Sequence, residues 1–456
     1  MDGAGLKPRI AIVTGVTGAL AWLTGSLAWL SADRLIRDGD EEGHVGAAEL
    51  LVSILRDDGL LTFLATALAG DLGEYPPLYP AVVAVWWSLF DGQPGALVVR
   101  AVNLLWPVIA AAACASIARR LARPALPVAV LVLMIPGACG LSRHFMPEGM
   151  LIAAVSLAAL AALWAADQPS WRRAAVLGVA LGAGMLVKQT FVLYALPMAL
   201  WALWRLRVHA TAAIAVPALL AGPWYVTHLG DQIRYGTQSL ETLDPGWLSS
   251  VSYYPIVGVL TELGPVLAGA TLLGLWSADR RSRWLIGLWV GLALLLLIGV
   301  PRKYPRLLVP LLPLLMIWAG GIATTRLRTG ALLGLAGGWV TLASLVLLPE
   351  VPLPGEVDEG CLQRWLRPPV VDDFGMSEVA DAVRQRGAAT VVVLAAPEIP
   401  CTVQTTHGWQ HHLAPYLRRD GFDVEVLTEP TPGAVVIDWT QGDRMVPALG
   451  RHFEIR

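Results

Sequence analysis

The sequence predicts a polytopic α-helical membrane protein with about eleven transmembrane helices, followed by a small C-terminal α/β domain. Two observations predict the helical part. The 456-residue chain is 55% hydrophobic and only 15% charged, with a mean hydropathy of +0.59. Its long apolar runs are separated mostly by short turns that contain arginine, as expected of helices that satisfy their own backbone hydrogen bonds in hydrocarbon. From residue 349 onwards, helix-like and strand-like segments alternate instead.

The apolar runs of spanning length define the predicted transmembrane helices. They cover residues 10–30, 97–118, 125–142, 147–166, 173–188, 190–206, 209–228, 252–276, 283–300, 304–323 and 328–348. The first run is too long for a signal peptide and lacks a clear cleavage site, so we interpret it as a retained span. The apolar stretch 76–90 is too short to span, and we expect it to lie in or dip into the outer leaflet.

The distribution of arginine predicts the orientation of the spans. If the N-terminus is cytoplasmic and residues 76–90 do not span, every cytoplasmic turn is basic. These turns carry Arg119, Arg120, Arg123, Arg172, Arg173, Arg205, Arg207, Arg280, Arg281, Arg283, Arg326 and Arg328. The sequence therefore predicts a multi-pass protein with a cytoplasmic N-terminus. Because the basic residues are almost all arginine in a chain rich in alanine and glycine, we interpret the membrane as a bacterial plasma (inner) membrane.

Two domains are predicted: a membrane domain, residues 1–348, and an extracytoplasmic α/β domain, residues 349–456. The first outer loop, residues 31–96, contains apolar residues at helical spacing between 45 and 55, which predict a helix along the membrane surface. The second domain has predicted helices at 377–385 and 409–418 and predicted strands at 390–395, 423–427 and 434–439. It has no glycine-rich phosphate loop, so nucleotide binding is not indicated. Whether Cys361 and Cys401 form a disulfide in it is left open by their spacing.

Ionisable residues near the outer ends of the spans are the candidate functional residues, because such groups are costly in hydrocarbon. The acids are Asp38, Asp40, Glu41, Glu42, Glu74 and Glu148, and the basic residues are His44, Arg143, Lys188, His228, Arg302, Lys303 and Arg306. The basic residues oppose the positive-inside bias, and a phosphate held at the outer surface would explain them. Alternatively, each is a helix-end residue whose side chain extends to water.

The four acids around residue 40 directly follow the first span. A carboxylate held against the membrane there can act as a general base towards a hydroxyl group. We predict Asp40 in this role, with Glu41 second, and interpret Asp38 and Glu42 as ordinary loop and cap residues. Asp40 or Glu41 could instead cap the helix that follows.

An ordered set of motifs resembles the GT-C membrane glycosyltransferases, in particular bacterial relatives of the protein O-mannosyltransferases and of the lipid A aminoarabinose transferase. The matching stretches are DEEGH at 40–44, GEYPPLYP at 73–80, SRHFMPEGML at 142–151, LVKQT at 186–190, PWY at 223–225 and RKYPRLLVPLLP at 302–313. They extend through nearly the whole membrane domain, whereas the C-terminal domain is matched only in position.

The resemblance implies an enzyme that transfers a sugar from a polyprenyl-phosphate donor to an acceptor on the outer face, where the acceptor is a lipid, a glycan or a protein. It makes Asp40 the catalytic carboxylate, with Glu41 beside it. The donor phosphate would be bound by Arg143, Lys188, Arg302, Lys303 and Arg306. Nearby substrate-binding residues would be His44, Glu74, Tyr75, Glu148 and Tyr304.

Two departures from the family pattern bear on phosphate binding. Tyr75 replaces the usual lysine, and Gly43 and His44 stand where a basic or aromatic residue is common. Phosphate binding then depends more on Arg143, Lys188 and Lys303. No cofactor is required by the pattern. A divalent metal between Glu74 and His228, as in some relatives, is left open, because one Glu and one His are too few to define a metal site.

A single catalytic carboxylate without a second nucleophile favours one displacement with inversion at the anomeric carbon. Two other functions are weighed. A transporter or flippase of lipid-linked sugars would need ionisable groups reachable from both sides, but mid-span charges are scarce and no internal repeat is evident. A membrane scaffold would explain the C-terminal domain but not the outer charges. The net charge of −2 says nothing about partners, so a nucleic-acid partner is not indicated. The pattern names neither the sugar nor the acceptor.

Overall fold

The computed structural model describes most of the membrane domain and short parts of the C-terminal segment. The described residues are 8–33, 39–69, 72, 75–90, 96–241, 251–300, 304–323, 325–345, 366, 369, 383–385, 390–394, 423–427, 435–438, 444–446 and 451–455. Cys361, Cys401 and the predicted helix at 409–418 lie outside them. Of the predicted helix at 377–385, residues 383–385 are described and are helical.

Seventeen α-helices account for most of the described membrane domain. They are α1 (Pro8–Ala32), α2 (Gly39–Asp57), α3 (Gly59–Ala69), α4 (Leu78–Ser88), α5 (Ala96–Ala101), α6 (Leu105–Arg120), α7 (Ala125–Leu133), α8 (Pro136–Leu141), α9 (Glu148–Asp167), α10 (Trp171–Val187), α11 (Phe191–Leu206), α12 (Ala210–Thr227), α13 (Leu229–Glu241), α14 (Gly264–Trp276), α15 (Arg280–Ile298), α16 (Leu312–Ala319) and α17 (Arg326–Leu345). A π-helix (Tyr253–Leu263) precedes α14, and a 3₁₀-helix (Pro305–Leu311) precedes α16.

All eleven predicted spans fall on these helices or on consecutive helical segments. By length and composition, six described stretches can cross a membrane: Leu97–Arg120, Glu148–Asp167, Phe191–Thr227, Tyr253–Trp276, Arg280–Ile298 and Pro305–Ile322. The count of eleven spans and their orientation stay predictions. The stretch 76–90 forms the 11-residue α4, which is too short to span, as predicted.

The predicted span 125–142 is broken rather than continuous. α7 ends at Leu133 and α8 begins with Pro136 at its first turn. Proline has no backbone N–H and restricts the residue before it, so a helix readily ends ahead of it. The short α8 therefore leads separately into residues 142–147, which contribute side chains to the candidate site.

The helix in the first outer loop begins earlier than predicted. Instead of starting near residue 45, α2 begins at Gly39, so Asp40 and Glu41 lie in its first turn and not at an N-cap before it. Acidic residues are favoured in a first turn because the helix dipole places partial positive charge there. The predicted apolar face is confirmed: Ala48 and Leu51 are buried, and α2 packs against α4.

α9 is the central helix of the bundle and packs against α6, α10 and α11. Buried alanines along it, among them Ala153, Ala158 and Ala162, allow neighbouring helices to approach closely. Glu148 is its first residue, so this well-packed helix fixes one carboxylate of the candidate site.

A close backbone contact joins α14 to α16, and it gives a test of the packing. A Cβ atom at Gly274 would overlap the carbonyl group of Trp318, whereas a Cβ at Gly269 on the same helix would meet nothing within 4 Å. We expect Gly274→Ala to lower the free energy of unfolding by about 1–3 kcal/mol through overpacking. Gly269→Ala is the matched control and should leave the melting temperature in detergent unchanged or raise it; equal melting temperatures for both variants would contradict this packing.

The described part of the C-terminal segment forms a five-stranded sheet. Its strands are β1 (Thr390–Leu394), β2 (Asp423–Leu427), β3 (Val435–Asp438), β4 (Arg444–Val446) and β5 (Arg451–Ile455), in the order β2-β1-β3-β5-β4. β1 pairs in parallel with β2 and β3, and β5 pairs antiparallel with β3 and β4. The three predicted strands are confirmed, whereas β4 and β5 were not predicted. The α/β domain as a unit stays a prediction.

Candidate active site

The first turn of α2 is anchored to the junction between α8 and α9. Glu41 is fully buried, and its Oε1 accepts a hydrogen bond from the backbone N–H of Phe145 at 3.1 Å. The same oxygen lies 2.9 Å from Nδ1 of His144. Since this carboxylate oxygen is already an acceptor, we assign the proton of the imidazole to Nδ1, which donates to Glu41.

Arg100 links this anchor to the end of α1. Its Nη1 donates to Asp33 Oδ2 at 2.9 Å, and its Nη2 lies 3.4 Å from Glu41 Oε2, with all three side chains buried. Asp33, Arg100 and His144 were not identified from the sequence. One signal was present: Arg100 lies near the predicted outer end of the span 97–118 and so opposes the positive-inside bias.

A second cluster brings together five residues that the sequence proposed. Lys188 Nζ lies 2.6 Å from Glu148 Oε1, and Nε of Arg306 lies 3.6 Å from the same oxygen. The ammonium of Lys188 is 5.1 Å from the ring centre of Tyr75, and the guanidinium of Arg306 is 5.0 Å from that of Tyr304. Two cations thus share one carboxylate beside two aromatic rings.

Aromatic contacts join the two clusters. The ring of His44, which belongs to α2, lies 4.8 Å from that of Tyr75 and 5.5 Å from that of Tyr79. Tyr75 in turn contacts Lys188, so α2 and the cation cluster face one another through its ring. Burial, with a contribution from the charges of Glu41 and Glu148, holds the pKa of Tyr79 well above its usual range, so its phenol stays neutral.

Arg143 lies in a separate environment. It is only 4% exposed, its Nη1 donates to Ser344 Oγ at 3.1 Å, and its guanidinium lies 5.5 Å from the ring centre of Trp29. Within the described residues it contacts no carboxylate, and its Nε has no hydrogen-bond partner. The structure therefore does not bring Arg143 into contact with Lys188, although the sequence grouped them.

Several predicted site residues lie outside the described part of the chain. These are Asp38, Glu74, Arg302 and Lys303, together with the side chains of Asp40 and Glu42. The backbone of Asp40 is described and precedes Glu41 in the first turn of α2. Their roles stay predictions.

His228, the suggested metal ligand, contacts Trp224 in the last turn of α12. Its ring stacks on Trp224 at 4.5 Å, and its Nδ1 lies 2.9 Å from the backbone carbonyl of Trp224. Over the part of the chain that the structure describes, no group of three or more His, Cys, Asp and Glu side chains could hold a metal. The other suggested ligand, Glu74, lies outside the described residues, so a metal between Glu74 and His228 stays a prediction, and we assign no step to a metal.

Solved structures with the same architecture come from membrane glycosyltransferases. ArnT from Cupriavidus metallidurans bound to undecaprenyl phosphate matches with a TM-score of 0.63 and 16% sequence identity, over 94% of this chain and 93% of that one. Its apo form matches with a TM-score of 0.61 and 17% identity, over 91% and 85% of the two chains. The chain has the GT-C fold.

Two more comparisons agree with this GT-C fold. An oligosaccharyltransferase from Archaeoglobus fulgidus, solved with Zn and sulfate, matches with a TM-score of 0.50 and 12% identity, over 89% of this chain and 62% of that one. Residues 74–226 match the family model of the dolichyl-phosphate-mannose-protein mannosyltransferases. The resemblance to GT-C glycosyltransferases of the ArnT and protein mannosyltransferase type is therefore confirmed. No curated protein sequence matches the chain.

Proposed function

We propose that the protein is a membrane glycosyltransferase that moves a sugar from a polyprenyl-phosphate donor to an acceptor hydroxyl. The GT-C fold supports glycosyl transfer, and the ArnT structure with undecaprenyl phosphate supports a lipid-linked donor. We place the reaction at the outer face of a bacterial plasma membrane, with a lipid, a glycan or a protein as the acceptor. The C-terminal domain and the first outer loop would contact that acceptor.

The observation that carries this proposal is a group of cations placed around one carboxylate. Among the described residues, Lys188 and Arg306 both contact the carboxylate of Glu148, and the buried Arg143 contacts no carboxylate. A buried cation is strongly unfavourable unless an anion compensates it. A polyprenyl phosphate supplies that anion, and its negative charge grows as the bond to the sugar breaks, so cations held in place stabilise the transition state.

The acceptor hydroxyl needs a base, and Asp40 is our choice. Glu41, the second candidate, is fully buried and holds His144, Phe145 and Arg100, so it acts as an anchor rather than as a base. In the proposed step, Asp40 takes the acceptor proton while the acceptor oxygen bonds to the anomeric carbon. The bond from that carbon to the phosphate oxygen breaks, and polyprenyl phosphate leaves. One such displacement inverts the anomeric centre.

Reconstitution tests the function directly. The purified protein in proteoliposomes is supplied with undecaprenyl-phosphate sugars and with lipid, glycan and peptide acceptors. The released undecaprenyl phosphate is measured, and the anomeric configuration of the glycosylated acceptor is read by NMR. A maleimide label on a cysteine placed at the Arg280 turn reports which face is cytoplasmic. We expect undecaprenyl phosphate to be released only when the donor is on the face opposite the cytoplasmic one. Transbilayer movement of the donor without release would show a flippase instead, and a folded protein inactive with every donor would contradict the proposal.

A further inference from the structure

Four buried ionisable side chains meet where four segments of the chain come together. They are Asp33 at the end of α1, Glu41 in the first turn of α2, Arg100 in α5 and His144 at the α8–α9 junction. Each is at most 3% exposed. Both terminal nitrogens of Arg100 contact carboxylates of the chain, so its guanidinium is engaged within the protein. We call these four residues the clamp.

The clamp joins the end of α1 to the first turn of α2. A single guanidinium contacts Asp33 through Nη1 and Glu41 through Nη2, and Asp40 directly precedes Glu41 in the first turn of α2. Lysine could not replace this geometry, because an ammonium is a point charge without a rigid fork of donors.

The clamp also connects the first turn of α2 to the cation-rich part of the site. Oε1 of Glu41, the oxygen that does not contact Arg100, accepts hydrogen bonds from Nδ1 of His144 and from the backbone N–H of Phe145. Both residues lie between Arg143 and Glu148 in the chain. Asn103 strengthens the same junction, because its Nδ2 donates to the carbonyl of His144 at 2.6 Å. The α8–α9 junction thus binds α2 on one side and carries the residues that would face the donor phosphate on the other.

We propose that the clamp is a positioning device and that Arg100 is its central positioning residue. It sets the distance between Asp40 and the donor bound near residues 143–148. This inference rests on the proposed function, since it concerns the placement of the proposed base. A misplacement of about 1 Å can lower the rate of a step about a hundred-fold, so a clamp that touches no substrate can still control turnover.

Arg100→Lys tests the clamp, because it keeps the positive charge but removes the fork. We expect kcat to fall by about 10- to 100-fold, with the KM for the donor within about threefold of wild type. Asp33→Asn keeps an oxygen that can accept a hydrogen bond from Arg100. It should lower kcat by a smaller factor, again with the KM for the donor nearly unchanged. The matched control is Arg120→Lys, since Arg120 pairs with Asp167 in a partly exposed turn and should leave turnover unchanged.

A second measurement does not depend on turnover. Hydrogen exchange of the backbone amides of residues 39–45 should become faster in Arg100→Lys and in Asp33→Asn, but not in Arg120→Lys. This result would support the clamp even if no sugar donor were turned over. The proposed glycosyltransferase function and the proposed positioning role of the clamp can therefore fail separately. If Arg100→Lys does not fold, Asp33→Asn decides. Unchanged exchange, a raised KM with unchanged kcat, or full turnover per folded molecule in both clamp variants would each overturn the inference.

Discussion

Replacing Asp40 with asparagine is expected to lower kcat for sugar transfer by about a hundred- to ten-thousand-fold, with the KM for the donor nearly unchanged. Asparagine has the shape of aspartate, but its amide cannot take the proton of the acceptor hydroxyl at neutral pH. Donor binding should persist because we assign it to the cations around Glu148 and to Arg143. The measurement is the release of undecaprenyl phosphate from its sugar conjugate in proteoliposomes.

The matched control for Asp40→Asn is Asp57→Asn, at the other end of the same helix. Asp57 is exposed and lies in the last turn of α2, so removing its charge should leave kcat unchanged. Asp40→Glu should retain more activity than Asp40→Asn, because a carboxylate remains although its position shifts. Undiminished turnover in Asp40→Asn would rule out Asp40 as the base and leave the proposed displacement without its proton acceptor.

The sequence predicted much of the cation cluster because topology alone places it. Glu148, Lys188 and Arg306 each begin or end an apolar run, and the alternation of spans puts all three ends on one face. Their contacts in the structure agree with that placement. The sequence could not show that Glu148 would form an ion pair with Lys188, or that Arg143 would lie away from Lys188. Those contacts depend on how the helices pack.

The clamp was missed for a related reason. Arg100 is far from Asp33 and Glu41 in the chain, and His144 is farther still, so no spacing rule relates them. A buried ion pair between distant elements is defined by tertiary packing alone. The early start of α2 was missed because prediction followed its apolar face, which begins near Val45, and the acidic first turn carries no apolar signal.

Irregular segments were the other limit of prediction. Hydropathy recognised the runs 125–142, 252–276 and 304–323 as apolar but could not show that they are broken, π-helical or 3₁₀-helical in part. Prolines explain the break before Pro136 and the start of the 3₁₀-helix at Pro305. These breaks help to form the site, since Arg306 projects from the 3₁₀ segment towards Glu148.

Replacing Arg143 with methionine is expected to weaken binding of undecaprenyl phosphate by about 10- to 100-fold, since a hydrogen bond to a charged group contributes about 1.5–3 kcal/mol. The same change should leave the melting temperature unchanged or raise it. Within the described residues Arg143 contacts Ser344 and Trp29 but no carboxylate, so its removal leaves no buried anion without a partner. Binding of labelled undecaprenyl phosphate and thermal unfolding in detergent measure the two effects.

Arg100→Met is the matched comparison. The guanidinium of Arg100 is as buried as that of Arg143, but it contacts two carboxylates. Its removal leaves Asp33 and Glu41 without their shared cation, and we expect a loss of about 3–5 kcal/mol in the free energy of unfolding. The two substitutions are chemically identical, so any difference in stability reports whether the guanidinium compensates a protein carboxylate or awaits an anionic ligand. If Arg143→Met destabilised the protein as much as Arg100→Met and still bound the lipid phosphate normally, Arg143 would have a structural role and the donor phosphate would have to be held by the cations around Glu148.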